Sequence, residues 1–160
     1  MTFAISSEIE KMQNEIGINL MNVVPVPWNK ICFRAICDSS YSDTYYFFEE
    51  SETGVISSSN NENLRFKKEW YKVDLRETIS KLMNLPIQLY NEYKKINNPD
   101  KMWRALTYTL YSNGSFNIDF EYESDEHSVL NQRQWCLKYF GETSLYYYKG
   151  LYPDTTDFIK

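Results

Sequence analysis

The stretch that most restricts the fold of this chain runs from Trp103 to Tyr122. Two β-rich runs, Trp103 to Tyr111 and Ser115 to Tyr122, are separated by Ser112-Asn113-Gly114. An Asn-Gly step between such runs predicts an antiparallel hairpin, with the two turn residues supplying positive φ angles. In the second run Phe116, Ile118, Phe120 and Tyr122 share one face, and Asn117, Asp119, Glu121 and Glu123 share the other. One face is therefore expected to pack and the other to meet water. A lone hairpin is marginal in water, so the rest of the chain must supply strands and helices to cover it.

Upstream segments meet that need. From about Ser6 to Val24, Ile9, Met12, Ile16, Leu20 and Val23 recur at three- and four-residue steps with Glu8, Glu10, Lys11 and Glu15 between them, which predicts an amphipathic helix. Pro25 and Pro27 end it, because proline lacks the amide donor and biases its predecessor toward extended geometry. A strand is expected over Trp28 to Asp38, with Ile31, Phe33, Ala35 and Cys37 on one face and Arg34 on the other. Ser39 to Asp43 forms the turn to a second, aromatic strand over Thr44 to Glu50, and a weaker third strand is expected over Gly54 to Ser58. Ser57 to Asn63 reads as a mobile loop.

A long helix is predicted from about Lys68 to Ile96, with Trp70, Val73, Ile79, Leu82, Met83, Leu89 and Tyr93 inward and a kink or break at Pro86. A last helix is predicted from about Asp125 to Phe140. Its acidic first turn and the Gly141 beyond its end suit the helix dipole and capping preferences, and Leu130, Trp135 and Leu137 are its expected apolar contacts. The order is α-β-β-β-α-β-β-α. It predicts an α+β fold, a single domain over residues 1–160 whose antiparallel sheet is packed on one face by helices, with an aromatic tail at 142–160.

The chain offers little for catalysis. His127 is its single histidine, placed at the start of a predicted helix with no nucleophile signature around any Ser or Cys. Five scattered glycines build no phosphate loop, and no cofactor is expected. Cys32, Cys37 and Cys136 are odd in number, lack metal or redox spacing, and are expected as buried small hydrophobes in a reducing compartment. The carboxylates Asp119, Glu121, Glu123, Asp125 and Glu126 could in principle hold a metal, but the neighbouring Tyr122 and Ser124 stand where a metal-dependent nuclease would place a lysine. No metal is expected there. A solvated face, or a docking surface for cationic side chains, explains them.

The formal charge of −5 and the isoelectric point near 5.0 disfavour direct nucleic-acid binding and suit a basic protein partner. No apolar run is long enough to span a membrane, and the residues from Met1 to Lys11 lack the order of a signal peptide, so cytoplasm is the expected location. Aromatic residues make up 17% of the chain. Most are needed for the core, and the surplus suits an interface, where Tyr and Trp are favoured. Binding, and not catalysis, is the expected activity.

Three ordered groups of residues carry a family resemblance. They are Asn14-Glu15-Ile16 with Val24-Pro25-Val26-Pro27-Trp28-Asn29-Lys30-Ile31; Trp103 with Gly114, Phe116 and Ile118-Asp119-Phe120-Glu121-Tyr122; and Arg133, Trp135 and Lys138-Tyr139-Phe140-Gly141. Over residues 8–141 this set resembles the YezG-like immunity proteins. The resemblance implies an antitoxin that binds a cognate toxin, one of the nucleases exported by the type VII secretion system of Gram-positive bacteria, through the toxin's basic C-terminal domain. The expected toxin-binding residues are Asp119, Glu121, Glu123, Asp125 and Glu126. An acidic chaperone that holds an effector for export is the alternative consistent with the same architecture.

Overall fold

The computed structural model describes residues 7–58, 71, 73–97, 101–123 and 128–141. The apolar stripe of the first segment becomes helix α1 (Ser7–Val23), which buries Ile9, Ile16, Leu20 and Val23. After Pro25 and Pro27 the chain enters β1 (Trp28–Cys37), followed by β2 (Ser42–Glu50) and the short β3 (Ile56–Ser58). Helix α2 (Leu75–Ile96) leads to the hairpin β4 (Ala105–Tyr111) and β5 (Phe116–Glu121), and α3 (Gln132–Phe140) follows. The strands form one antiparallel sheet in the order β3-β2-β1-β4-β5. β1 lies at its centre, which is why Ile31 to Ala35 are buried without interruption on both faces.

Period-two alternation divides the sheet into two packed faces. Ile31, Phe33, Ala35 and Cys37 of β1 join Tyr46 and Phe48 of β2 and Leu106, Tyr108 and Leu110 of β4 in the larger core. Helices α1 and α2 cover this face, contributing Ile16, Leu20, Leu82 and Leu89. Each such side chain adds roughly 1.5–3 kcal/mol on burial. Trp103, beneath Tyr90, Tyr93 and Phe120 with ring centroids 5.1, 6.0 and 5.1 Å away, closes this core at one end. Cys32 of β1 and Phe47 of β2 point the other way, into a smaller core with Trp135 and Cys136 of α3.

Several details differ from the pattern-based expectation, and α3 covers the second face of the sheet as α1 and α2 cover the first. Helix α2 begins at Leu75 and not near Lys68, because the Asp74 side chain accepts the Glu77 amide at 3.2 Å and caps the helix there. Val73 precedes the cap, Met83 is exposed, and Trp70 lies outside the described residues. The helix is unbroken at Pro86, which is buried in the stripe formed with Leu82, Leu85 and Leu89. In the hairpin, Gly114 (φ 91) is the positive-φ residue and Asn113 is not. The Gly114 amide donates to the Tyr111 carbonyl and the Tyr111 amide to the Ser115 carbonyl, both at 2.9 Å. This is a three-residue loop with a bulge, which requires one left-handed residue where a two-residue Asn-Gly turn requires two. Asn113 instead accepts the Ser115 amide with its side chain, at 2.9 Å.

Of the expected 57–63 loop, Ser57 and Ser58 belong to β3, and 59–63 lie outside the described residues. The three cysteines are buried thiols. Burial pushes Cys32 from an ordinary 9.0 up to about 11, partly offset by its contact with Thr109, and pushes Cys37 up to about 12. Unfolded thiols therefore lose their protons first. Stability should fall as pH rises above 9.0, by roughly 1 kcal/mol per thiol for the first pH unit. Chemical unfolding across that range measures it, and replacing both thiols with alanine should flatten the slope.

Gly17 marks a close approach between layers. A Cβ there would stand 2.6 Å from the Tyr108 hydroxyl, whose side chain is fully buried. Gly17→Ala should lower stability by about 1–2 kcal/mol, although alanine is worth about 1 kcal/mol more than glycine in a helix interior. Combined with Tyr108→Phe, which removes the obstructing oxygen, the same change should become neutral or stabilising in urea titrations.

Candidate functional site

The acidic row singled out by the sequence, Asp119, Glu121 and Glu123, lies along the edge strand β5 and just beyond it. Alternation turns Asp119 and Glu121 to the face that carries α3, and that face is not simply wet. Opposite them stands Arg34, on the outward phase of the central strand and fully buried. Its Nη2 donates to both Glu121 carboxylate oxygens, at 2.9 and 2.7 Å, and its Nη1 donates to the Tyr45 hydroxyl at 3.0 Å. The guanidinium thus joins β1, β2 and β5 across β4. Its Nε has no hydrogen-bond partner among the described residues.

Glu121 has a second task. Its Oε1 accepts the Leu130 amide at 2.8 Å, which fixes the chain just before α3. The next residue, Asn131, caps that helix in a reciprocal arrangement: its side chain accepts the Gln134 amide at 2.8 Å, and the Gln134 side chain accepts the Asn131 amide at 3.0 Å. The helix therefore starts at Gln132, and the expected start at Asp125 is replaced by a cap several residues later. Asp125, Glu126 and His127 lie outside the described residues.

Helix α3 closes over the face with aromatic side chains. Trp135 is fully buried, donates from Nε1 to Thr107 Oγ1 at 2.9 Å, and meets Tyr45 edge-on at 5.2 Å. Such an edge contact suits the quadrupoles of the two rings. Burial raises the Tyr45 phenol to about 12 despite the nearby Arg34 charge, so it is a neutral acceptor at physiological pH. Tyr139 donates its hydroxyl to Asp119 at 3.0 Å, and burial likewise raises that phenol to about 12. Lys30 donates to the Tyr139 carbonyl and lies 4.8 Å above the Phe140 ring, joining the end of α3 to the sheet.

The expected site residues thus divide. Glu121 is committed to Arg34 and Leu130, with a side chain 16% exposed. Asp119 is half-buried and engaged by Tyr139 and Asn117. Glu123 is exposed, with Arg104 Nε 3.6 Å away. The expectation of a freely solvated face fails for Glu121, because the buried arginine across the sheet needs a counter-charge. Arg34, Tyr45 and Trp135 are the members of this cluster that pattern reading did not assign to it. A lone arginine in an apolar central strand was the available signal, since an unpaired buried charge is prohibitive.

Among the described residues, no group of three or more His, Cys, Asp or Glu side chains is placed to hold a metal ion. No described helix is long and apolar enough to cross a membrane.

The framework is an α+β sheet layered by helices, with an acidic row along one edge strand. The particular family is shown by comparison. The model of the family described as immunity protein YezG-like matches residues 9–149, and the chain belongs to that family. It is similar to Immunity protein YezG of Bacillus subtilis (strain 168), with 31% identity over 110 residues that cover 68% of this chain and 69% of that protein. It is similar also to Immunity protein YezG of Bacillus spizizenii (strain ATCC 23059 / NRRL B-14472 / W23), with 27% identity over 139 residues, 81% of each chain.

The Arg34–Glu121 pair should behave as a structural unit. Glu121→Leu leaves a buried cation uncompensated and should cost about 3–5 kcal/mol, as should Arg34→Met, which strands the carboxylate. The double change Arg34→Met with Glu121→Leu should cost much less than the sum of the single changes. Urea unfolding of all four proteins measures the coupling.

Proposed function

We propose that this protein is a non-catalytic antitoxin that stays in the cytoplasm and neutralises a cognate nuclease toxin of the type VII secretion system by binding it. The observation that carries the proposal is the family match over residues 9–149, to proteins named for immunity. Net charge supports the choice of a nuclease. A nuclease groove must be cationic to hold phosphates, and a chain of formal charge −5 is attracted to it. Protection that outlasts chance dissociation requires nanomolar or tighter binding, about 12 kcal/mol.

The proposed contact remains the acidic row of Asp119, Glu121 and Glu123, continued by Asp125 and Glu126. Within it the residues have different tasks. Glu123 offers an exposed carboxylate to the partner. Asp119 offers a half-buried one, and Glu121 keeps the strand and α3 in register through Arg34 and Leu130. Charge at the rim of an interface acts mainly on association rate and on its dependence on salt.

Glu123→Lys should therefore slow association with the toxin domain about tenfold at low salt and flatten its ionic-strength dependence, while loss of the exposed contact with Arg104 costs no more than about 1 kcal/mol of stability. Stopped-flow binding reads the rate, and stoichiometric loss of nucleic-acid cleavage reads the neutralisation. An unchanged rate and salt slope would place the interface on another surface. A folded nuclease that stays fully active at saturating protein would overturn the antitoxin reading in favour of an export chaperone.

A further inference from the structure

β5 is one of the two outermost strands of the sheet, and its outer side carries no strand among the described residues. The direction of its backbone groups follows from two ladder contacts. Tyr111 donates its amide to the Ser115 carbonyl, and Arg104 donates its amide to the Glu121 carbonyl at 2.7 Å. Residues 115, 117, 119 and 121 therefore turn their backbone groups toward β4. The alternation of an antiparallel ladder turns those of Phe116, Ile118 and Phe120 outward. No backbone hydrogen bond from the described residues reaches them there.

An open row of donors and acceptors is a template for one more strand. The side chains beside the row specify what that strand must carry. On one face lie Phe116 and Tyr122, 38% and 56% exposed, flanking the half-buried Ile118 and Phe120. Phe116 is held flat against Tyr108, with ring centroids 4.8 Å apart, so the apolar row is preformed. The other face presents exposed Asn117 and half-buried Asp119, with exposed Glu123 just beyond the strand, while Glu121 is turned to Arg34 beneath α3. An added strand would thus set apolar side chains on one face and cationic ones on the other. A second copy of this chain fits poorly, because antiparallel pairing of β5 with itself sets carboxylate rows side by side, and like charges on facing strands repel.

We propose that the β5 edge docks an extended strand of the toxin in which apolar residues alternate with Lys or Arg, extending the sheet by one strand. This rests on the antitoxin reading and specifies its contact. Backbone bonds supply affinity, and the alternating side chains supply selectivity. Glu121 is a positioning residue here: its ties to Arg34 and Leu130 keep the acidic face of the edge in place beneath α3.

The test uses the full chain and a short synthetic peptide of alternating lysine and valine as probe, with an alternating glutamate–valine peptide as control. Amide hydrogen exchange is followed residue by residue. The lysine–valine peptide should slow exchange at Ile118 and Phe120 about tenfold or more, with the control peptide giving no change. Exchange that stays fast at both amides, whether the peptide binds elsewhere or not at all, overturns strand addition. Equal protection by both peptides overturns its charge selectivity. Protection that grows with protein concentration in the absence of peptide would assign the edge to a second copy, and overturn it too. Nuclease neutralisation is scored separately. If it persists while the edge amides stay exposed, strand addition fails and the antitoxin reading stands. If the edge is protected by the peptide but no toxin is neutralised, the antitoxin reading fails.

Discussion

One buried cation organises the second face of this protein. Arg34 sits on the central strand with no exposed surface, and its charge is tolerable only because Glu121 and Tyr45 surround it with acceptors. Glu121 must therefore come from the edge strand at a fixed register, across β4, and Tyr45 from β2 on the other side. The same carboxylate then receives the Leu130 amide and sets where α3 begins. An ion pair of this kind adds little net stability over an apolar replacement, yet it penalises every register that separates its partners. A one-residue slip of β5 would turn Glu121 to the opposite face and leave Arg34 unpaired.

The larger core is built differently. It follows the ordinary rule that an amphipathic helix buries its stripe against a sheet face, and α1 and α2 do so with Ile16, Leu20, Leu82 and Leu89. Within it, Gly17 lets α1 approach the Tyr108 hydroxyl closely. The two faces thus divide the work. One supplies most of the apolar burial, and the other couples the edge strand to α3 through charge, hydrogen bonds and aromatic edges. Those contacts tie the edge strand to the central strand and to the start of α3.

Much of the architecture was legible because it depends on local pattern. The apolar rhythm of α1, the proline stop, the face assignment of Ile31, Phe33, Ala35 and Cys37, and the hairpin around Gly114 all follow from periodicity and turn chemistry. The start of α2 was misplaced because helical periodicity extends past Asp74, and only the cap contact with Glu77 shows where the helix begins. The start of α3 was misplaced for a related reason: Asp125 and Glu126 suit a first turn, but Asn131 and Gln134 form the cap. At Pro86, where a kink or a break is expected from sequence, the helix runs on without a break and the proline is buried in the packed stripe.

The acidic row shows the limit of pattern most clearly. Alternation alone put Asp119, Glu121 and Glu123 on one face, opposite Ile118 and Phe120, and the structure agrees. It could not say what lies above that face, because Arg34 is distant in sequence and α3 arrives only after the hairpin. Local sequence determined which residues share a face, where the turns fall and that the chain is an acidic α+β protein. Tertiary structure decided which carboxylate is consumed inside the fold, which stays at the surface, and which strand, among the described residues, ends the sheet. Those outcomes depend on contacts between residues far apart in the chain, and a pattern with a period of two or of 3.6 residues carries no information about them.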